Sequence, residues 1–456
     1  MNQVSAFGIL SCWALCSALP AYAQPQISPY AIIQPTDAVA GNEFGRSPVI
    51  HDGKLYVGAV GVQNGANAGT GGVYVFDLQT LTQENYITAT TSTPDLPPEQ
   101  FGQSIAVQDG RLLVGSREDD SESTVKAGAA YLFEYPSGTQ LARYTQEYGH
   151  INMHSMFFGL SVALIGDLAV VTDPTGQWHN RSGGGVLGTV NFYDIPTGQQ
   201  VARVDARDSG YYQFGNALAV WNDKLVVAFK RGDSVYIYDP TTRERISEIF
   251  PPVDPFYFGN GMAVHGNTLV ASDSAAFYNE FLPTAIYMID LVTHDLIRTI
   301  TITPDTGDIG LGAHVAINDR YLLATRRHVV NQVQTRVLVF DVTTGDQIGE
   351  LLALSDESRN GFVRGGMVLD GDVAYISNSE SDELPNPGGA MLVYDLSQLG
   401  TTCLADTNGD GVLTPADFSA WVAAFNKQAP ACDQNGDGAC SPADFSAWVA
   451  NYNAGC

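Results

Sequence analysis

Two segments near the end of the chain carry oxygen-bearing side chains at intervals that suit a hard divalent cation. The first reads Asp406, Asn408, Asp410, Val412, Thr414 and Asp417; the second, offset by 27 residues, reads Asp433, Asn435, Asp437, Ala439, Ser441 and Asp444. Side-chain oxygens at loop positions 1, 3 and 5, a Gly at position 6, a backbone carbonyl at position 7 and a carboxylate at position 12 form a cage for calcium. Gly411 and Gly438 supply the sharp turn, Val412 and Ala439 the carbonyls, and Thr414 and Ser441 a direct or water-mediated oxygen. The pattern predicts two calcium ions. An acidic surface turn could imitate one loop, but two in tandem, each leading into a matched helix, are a far more specific signal.

Those helices are legible from their periodicity. Phe418, Trp421, Val422 and Phe425 recur at i, i+3, i+4 and i+7, and Phe445, Trp448, Val449 and Tyr452 repeat the stripe. Both stripes are expected to pack helix on helix as the core of a small module. Cys403, Cys432, Cys440 and Cys456 all lie in the last 54 residues. An even number crowded into so small a module predicts two disulfides, with three pairings open. There is no CxxC spacing and no nearby His to favour zinc.

Elsewhere the reactive residue types form no recognisable centre. HExxH, G-x-S-x-G, a Walker loop and a dinucleotide fingerprint are all missing. His51, His150, His154, His179, His265, His294, His314 and His328 are scattered. His51 and His265 stand just before equivalent turns and read as structural or surface residues. His150 and His154 are four apart but in a loop, so the helical argument for a metal pair does not apply. Carboxylates are numerous enough for two to meet in a cleft, as a glycosidase or lyase requires, yet no spacing marks such a pair. No catalytic and no cofactor-binding residue is assigned, and the chain is expected not to be an enzyme.

The elements that position these residues come from a repeat. An aromatic–Gly pair entering a short apolar segment recurs at Phe44-Gly45, Phe101-Gly102, Phe158-Gly159, Phe214-Gly215 and Phe258-Gly259. Leu311-Gly312 and a degenerate Phe362-Val363 complete the series, at spacings of 44 to 57 residues. In the second copy Gln103–Val107 and Arg111–Gly115 flank the turn Asp109-Gly110, Gly128–Phe133 follows, and Ser137-Gly138 turns into Gln140–Tyr144. Four short strands per copy and no helical period predict an all-β, seven-bladed β-propeller. The last copy lacks its fourth strand, and Tyr30–Ile33 is expected to supply it and close the ring. Gly183–Gly185 and Gly388-Gly389 precede third strands and read as backbone turns. Arg326, Arg327 and Arg364 read first as solvated strand ends; the alternative places them in a propeller mouth holding an acidic glycan.

These repeats resemble the FG-GAP and quinoprotein-like propeller families over most of residues 24–400. FG-GAP repeats often carry an Asp/Asn-rich calcium loop, but Asn64–Gly72 and Glu118–Gly128 lack a regular D-x-D-x-D pattern. No calcium site is therefore carried over to the propeller, nor is the tryptophan dock of quinoprotein enzymes visible. The tail shares Pro-Ala-Asp-Phe-Ser-Ala-Trp-Val-Ala at 415–423 and 442–450 and ends in Gly455-Cys456. It resembles the cysteine-containing, GC-ended dockerin-like domains of planctomycete-type bacteria. Asp rather than the usual EF-hand Glu at position 12 agrees with dockerins. The resemblance implies attachment to a cohesin-like or cell-envelope protein through exposed helix faces, with Ser419, Ala420, Ser446 and Ala447 as contact positions.

The bulk properties bound these readings. The 49 acidic and 22 basic residues give a net charge of -27, which argues against nucleic acid or an anionic membrane as partner. Phe7–Leu19 followed by Ala21-Tyr22-Ala23 predicts a signal peptide over 1–23. That apolar run is too short to span a bilayer, and no second one follows. The expected organisation is a propeller over 24–400 and a dockerin-like domain over 401–456. The expected product is secreted or attached to the cell surface, extracellular or periplasmic. It would be a binding or scaffold protein with a polysaccharide or protein ligand on the propeller. The alternative is an anchored carbohydrate-active enzyme, a polysaccharide lyase or glycoside hydrolase.

Overall fold

The computed structural model describes residues 25–37, 41–61, 71–90, 100–119, 128–146, 157–174, 188–205, 213–230, 233–252, 258–273, 284–302, 308–329, 333–354, 362–378, 384, 387–399, 404–408, 413–435 and 439–454. The signal-peptide expectation, His150, His154, His179 and Gly183–Gly185 lie outside them.

Each repeat folds into an antiparallel sheet whose strands lie side by side in chain order. In the second copy these are Phe101–Gln108, Arg111–Ser116, Ala129–Glu134 and Thr139–Tyr144. Asp109 and Gly110 both take positive φ, +48° and +70°, the geometry that lets a two-residue turn match the twist of its strands. The second and third strands are buried almost throughout because both faces meet neighbouring blades. The outermost strand is the most exposed.

Seven such sheets occur among the described residues, and the packing between them fixes the ring. Seven apolar clusters each join two consecutive blades, including one that joins the last to the first through Tyr375, Met391, Val393, Ile33 and Phe44. The marker residue is the wedge in each: Phe44, Phe101, Phe158, Phe214, Phe258 and Leu311 have no exposed surface, and Phe362 is 2% exposed. At Gly102 (φ +96°) an added Cβ would stand 2.7 Å from the Gly72 carbonyl oxygen, and one on Gly58 would stand 2.0 Å from that of Gly102. Adjacent blades thus touch backbone to backbone. Gly389 plays the turning role expected of it, since its φ of +106° lets the Phe44 backbone lie alongside. In the seventh copy Val363 keeps the left-handed backbone, at φ +61°, although it is β-branched and 1% exposed. Such a conformation costs about 1–2 kcal/mol.

Closure follows the expected scheme and adds to it. Strand β2 (Ala31–Ile33) pairs antiparallel with Ala390–Asp395 and completes the last blade. Strand β1 (Gln26–Ile27) pairs parallel with the outer strand of the sixth blade, opposite Glu350 and Leu351. The N-terminal segment therefore clips two consecutive blades together.

One recurrent device accounts for part of the acidity. At the turn after the third strand, Asp77, Asp239, Asp290 and Asp341 accept backbone N–H bonds from the residues two and three positions on. Asp194 and Asp395 make the same kind of turn with Thr197 and Ser397. These bonds favour the ionised carboxylate. Asp77, bonded first to Lys54 and then to Thr80, is held at about 2. Asp239, bonded to Lys224 and Thr242, is likewise held at about 2.

The C-terminal segment is a small helical module of α1 (Pro415–Lys427) and α2 (Pro442–Ala454). Thr414 caps α1, accepting from the Ala416 N–H, while Asp417 reaches back to the Thr414 N–H. The two aromatic stripes meet as expected, with Phe418–Trp448 ring centroids 5.1 Å apart and Trp421–Phe445 5.6 Å. Trp421 donates to the Cys432 carbonyl and Trp448 to that of Ala405, so each indole ties down the other repeat's loop. The stripes are only partly core. Phe418, Val422, Phe445 and Val449 remain exposed. Cys432 and Cys440 form a disulfide; Cys403 and Cys456 lie outside the described residues.

Candidate functional site

The calcium expectation is corrected by the structure. Asp417 and Asp444, at loop position 12, are fully buried, but their oxygens are turned to the backbone. Asp417 accepts from the N–H groups of Asn408 and Thr414. Asp444 accepts from those of Gln434, Asn435 and Ser441. A carboxylate bonded in this way closes a loop and caps a helix. The bonds hold Asp417 below the ordinary carboxylate range, the Thr414 N–H contributing most. At Asp444 burial pushes upward, and the three N–H bonds outweigh it. Among the described residues no group of three or more His, Cys, Asp or Glu side chains is placed to hold a metal ion. The assignment of two calcium ions to Asp406, Asn408, Thr414, Asp417, Asp433, Asn435, Ala439, Ser441 and Asp444 is therefore not retained. Asp410, Val412 and Asp437 lie outside the described residues.

The site the structure does assemble is at the propeller's centre. The first strand of each blade lines the channel, and the side chain two positions after the marker aromatic falls at the channel wall where that strand begins. Arg46, Gln103, Asn216, Asn260, Ala313 and Arg364 hold this position in six blades, and all line cavities there. One cavity of about 480 Å³ also has Lys230, Arg327, Thr335 and His314 in its wall. A second, of about 340 Å³, shares Asn216, Asn260, Ala313, His314 and Arg364 with it, so the two are parts of one channel mouth. Lys230 follows the second strand of the fourth blade. Arg327 faces Thr335 across a long hairpin of the sixth. The strained Val363 lies beside Arg364 in the same wall.

The charged side chains in the described lining are opposite in sign to the net charge of the whole chain. Among the described residues lining the two cavities, Arg46, Lys230, Arg327 and Arg364 are cationic and none is a carboxylate. Arg46 pairs with Glu43 at 2.8 Å, outside the lining, and its Nε is buried without a hydrogen-bond partner. Burial draws Arg327 below the usual guanidinium value, although an arginine stays charged. His314 is pushed down to about 4, first by desolvation and then by the nearby Arg46 and Arg327 cations. It is therefore neutral at pH 7.

The mouth reading of Arg327 and Arg364 prevails over that of solvated strand ends, while Arg326 is not in the cavity wall. His51 and His265 end their strands just before the turn, as expected, and pair with Asp52 at 3.3 Å and Asp319 at 2.8 Å. Asn216, Asn260, Lys230 and His314 were not singled out in the sequence. The usable signal was the position two after each marker, which varies more than the marker does.

The comparisons agree with the fold. The FG-GAP repeat family matches residues 95–133, which hold the first three strands of the second blade. No curated protein matches the chain. The structure titled "Structure of U3-55K" superposes with a TM-score of 0.50 at 9% identity, covering 80% of this chain and 98% of that one. "Crystal structure of RRP9 WD40 repeats" gives a TM-score of 0.50 at 9% identity, with 80% and 96% covered. At such identity the likeness is one of fold alone. The chain is a seven-bladed β-propeller closed by an N-terminal strand, with a small helical domain behind it. No helix among the described residues is long and apolar enough to cross a membrane.

Proposed function

We propose that this is an exported binding or scaffold protein whose propeller presents its recognition site at the channel mouth. The observation that carries this reading is the convergence of one repeat position from six blades on a single polar cavity. A propeller concentrates there what it otherwise scatters around a ring, and ligand sites are concave with a few convergent polar groups. The lining offers amides, hydroxyls and cations, groups that hold and orient a ligand. The helical pair is the attachment module, of dockerin-like design but without the calcium dependence expected from its sequence. Its support is the twofold-repeated exposed ridge of Phe418, Val422, Phe445 and Val449 flanked by Ser419 and Ser446. A cohesin-like or cell-envelope protein would take that ridge.

The test is a panel of immobilised extracellular polysaccharides probed with the mature protein and with an Asn216→Ala/Asn260→Ala double variant. Retention of the wild type and loss of the variant on the same polysaccharide supports the reading. Equal retention of both would place recognition away from the channel.

A further inference from the structure

The channel mouth collects positive charge in a protein that has little of it. The chain has 22 basic residues against 49 acidic, yet four cationic side chains and no carboxylate stand in the described lining. They come from separate parts of the ring: Arg46 from the first blade, Lys230 from the fourth, Arg327 from the sixth and Arg364 from the seventh. No local sequence preference brings them together; only the closed propeller does. Each of Lys230, Arg327 and Arg364 has partners within the protein, and what converges on the cavity is their charge. Cations that share one cavity wall repel one another, and water in an open channel screens that repulsion only in part. An anion between them would reverse the sign of that interaction.

We propose that the channel mouth binds an anionic sugar, a residue carrying a carboxylate or sulfate group within an acidic polysaccharide. This deepens the channel-mouth reading above and rests on it. Arg364 and Arg327 have the planar fork that takes a carboxylate or sulfate through two parallel N–H bonds, and Lys230 adds a point charge. Asn216, Asn260 and Thr335 stand around the same cavity and provide the donors and acceptors that sugar hydroxyls need. The volume of about 480 Å³ falls within the range of small-ligand sites, and the open channel end leaves room for the polymer to continue. His314, in the same wall, is neutral at pH 7 and can accept or donate one bond without adding repulsion.

The experiment is calorimetric titration of the mature protein with trigalacturonate, a sulfated carrageenan trisaccharide, neutral maltotriose and sodium sulfate. It is repeated on Arg364→Gln, on Lys230→Gln and on Arg245→Gln, a charge-matched control on an outer strand with 49% of its side chain exposed. Thermal melts of all variants establish folding. The expected result is binding of one or both acidic trisaccharides, tighter than sulfate ion, weakened at least tenfold in Arg364→Gln and Lys230→Gln and unchanged in Arg245→Gln. Which acidic trisaccharide binds distinguishes uronate from sulfate recognition. Equal binding of maltotriose, lost in the Asn216→Ala/Asn260→Ala variant, would overturn the anion and leave the channel reading standing. Acidic binding untouched by either channel variant would overturn both. Failure of both acidic probes to bind would overturn the proposal.

Discussion

His314 makes the stability of the propeller depend on pH from about 6.5 downward, above the range in which its carboxylates begin to contribute. Its backbone lies in the inner strand of the sixth blade, the N–H donating to Thr325 Oγ1 at 2.9 Å and the carbonyl accepting from the same hydroxyl at 3.3 Å, and its side chain lines the channel. The cationic groups acting on it are Arg46 from the first blade and Arg327 from its own, and both oppose protonation. In the unfolded chain the imidazole takes a proton near 6.5, whereas in the fold it does so near 4. The unfolded state thus binds more protons between these values, and stability falls as pH drops through the window. At about 1.36 kcal/mol per unit the ceiling is about 3.4 kcal/mol. Partial hydration of the channel screens the cations and brings the expected loss to about 2 kcal/mol. His314→Asn removes this term. Urea denaturation of wild type and variant at pH 7, 5.5 and 4.5 should show the wild type losing stability faster, with the Asp and Glu contribution common to both. Parallel pH dependences would refute the reasoning, as would a His314 ring resonance titrating near 6.5.

Two further outcomes follow from the packing. Gly58→Ala drives a Cβ to 2.0 Å from the Gly102 carbonyl oxygen between the first two blades, and should cost about 3 kcal/mol or more. Gly53→Ala, at φ +68° with nothing within 4 Å, should cost only about 1–2 kcal/mol; equal melting temperatures would contradict the blade contact. Asp444→Ala leaves the buried N–H of Gln434 without an acceptor, at about 1–3 kcal/mol, and removes the part-buried bonds from the N–H groups of Asn435 and Ser441. Amide exchange over 442–454 should then accelerate by orders of magnitude while the propeller stays protected; unchanged exchange would sink the capping role of that carboxylate.

Much of the architecture was legible because propeller repeats obey strong local rules. The marker aromatic, the Asp-Gly turn and the missing fourth strand were enough to locate the blades and to identify Tyr30–Ile33 as the closing strand, of which Ala31–Ile33 pairs. The clip by Gln26 and Ile27 was not legible, since two residues have no period to read. Nor were the Asp turns at Asp77, Asp239 and Asp290, where a carboxylate bonds its own backbone and leaves no trace in hydrophobic patterning. The calcium expectation failed in an informative way. Ligand-type residues at ligand spacing in the two loops also suit a capping role, and Asp417 and Asp444 fill it with backbone donors. The channel site was hidden for another reason: Arg46, Lys230, Arg327 and Arg364 are far apart in sequence and meet only when the ring closes.

The most direct test of the account is hydrogen–deuterium exchange of the protein with and without saturating trigalacturonate. Recognition at the channel mouth predicts added protection in the inner-strand segments 44–49, 214–218, 258–264, 311–317 and 362–368, with the outer strands and 413–454 unchanged. Protection confined to the outer strands or the helical pair would contradict it.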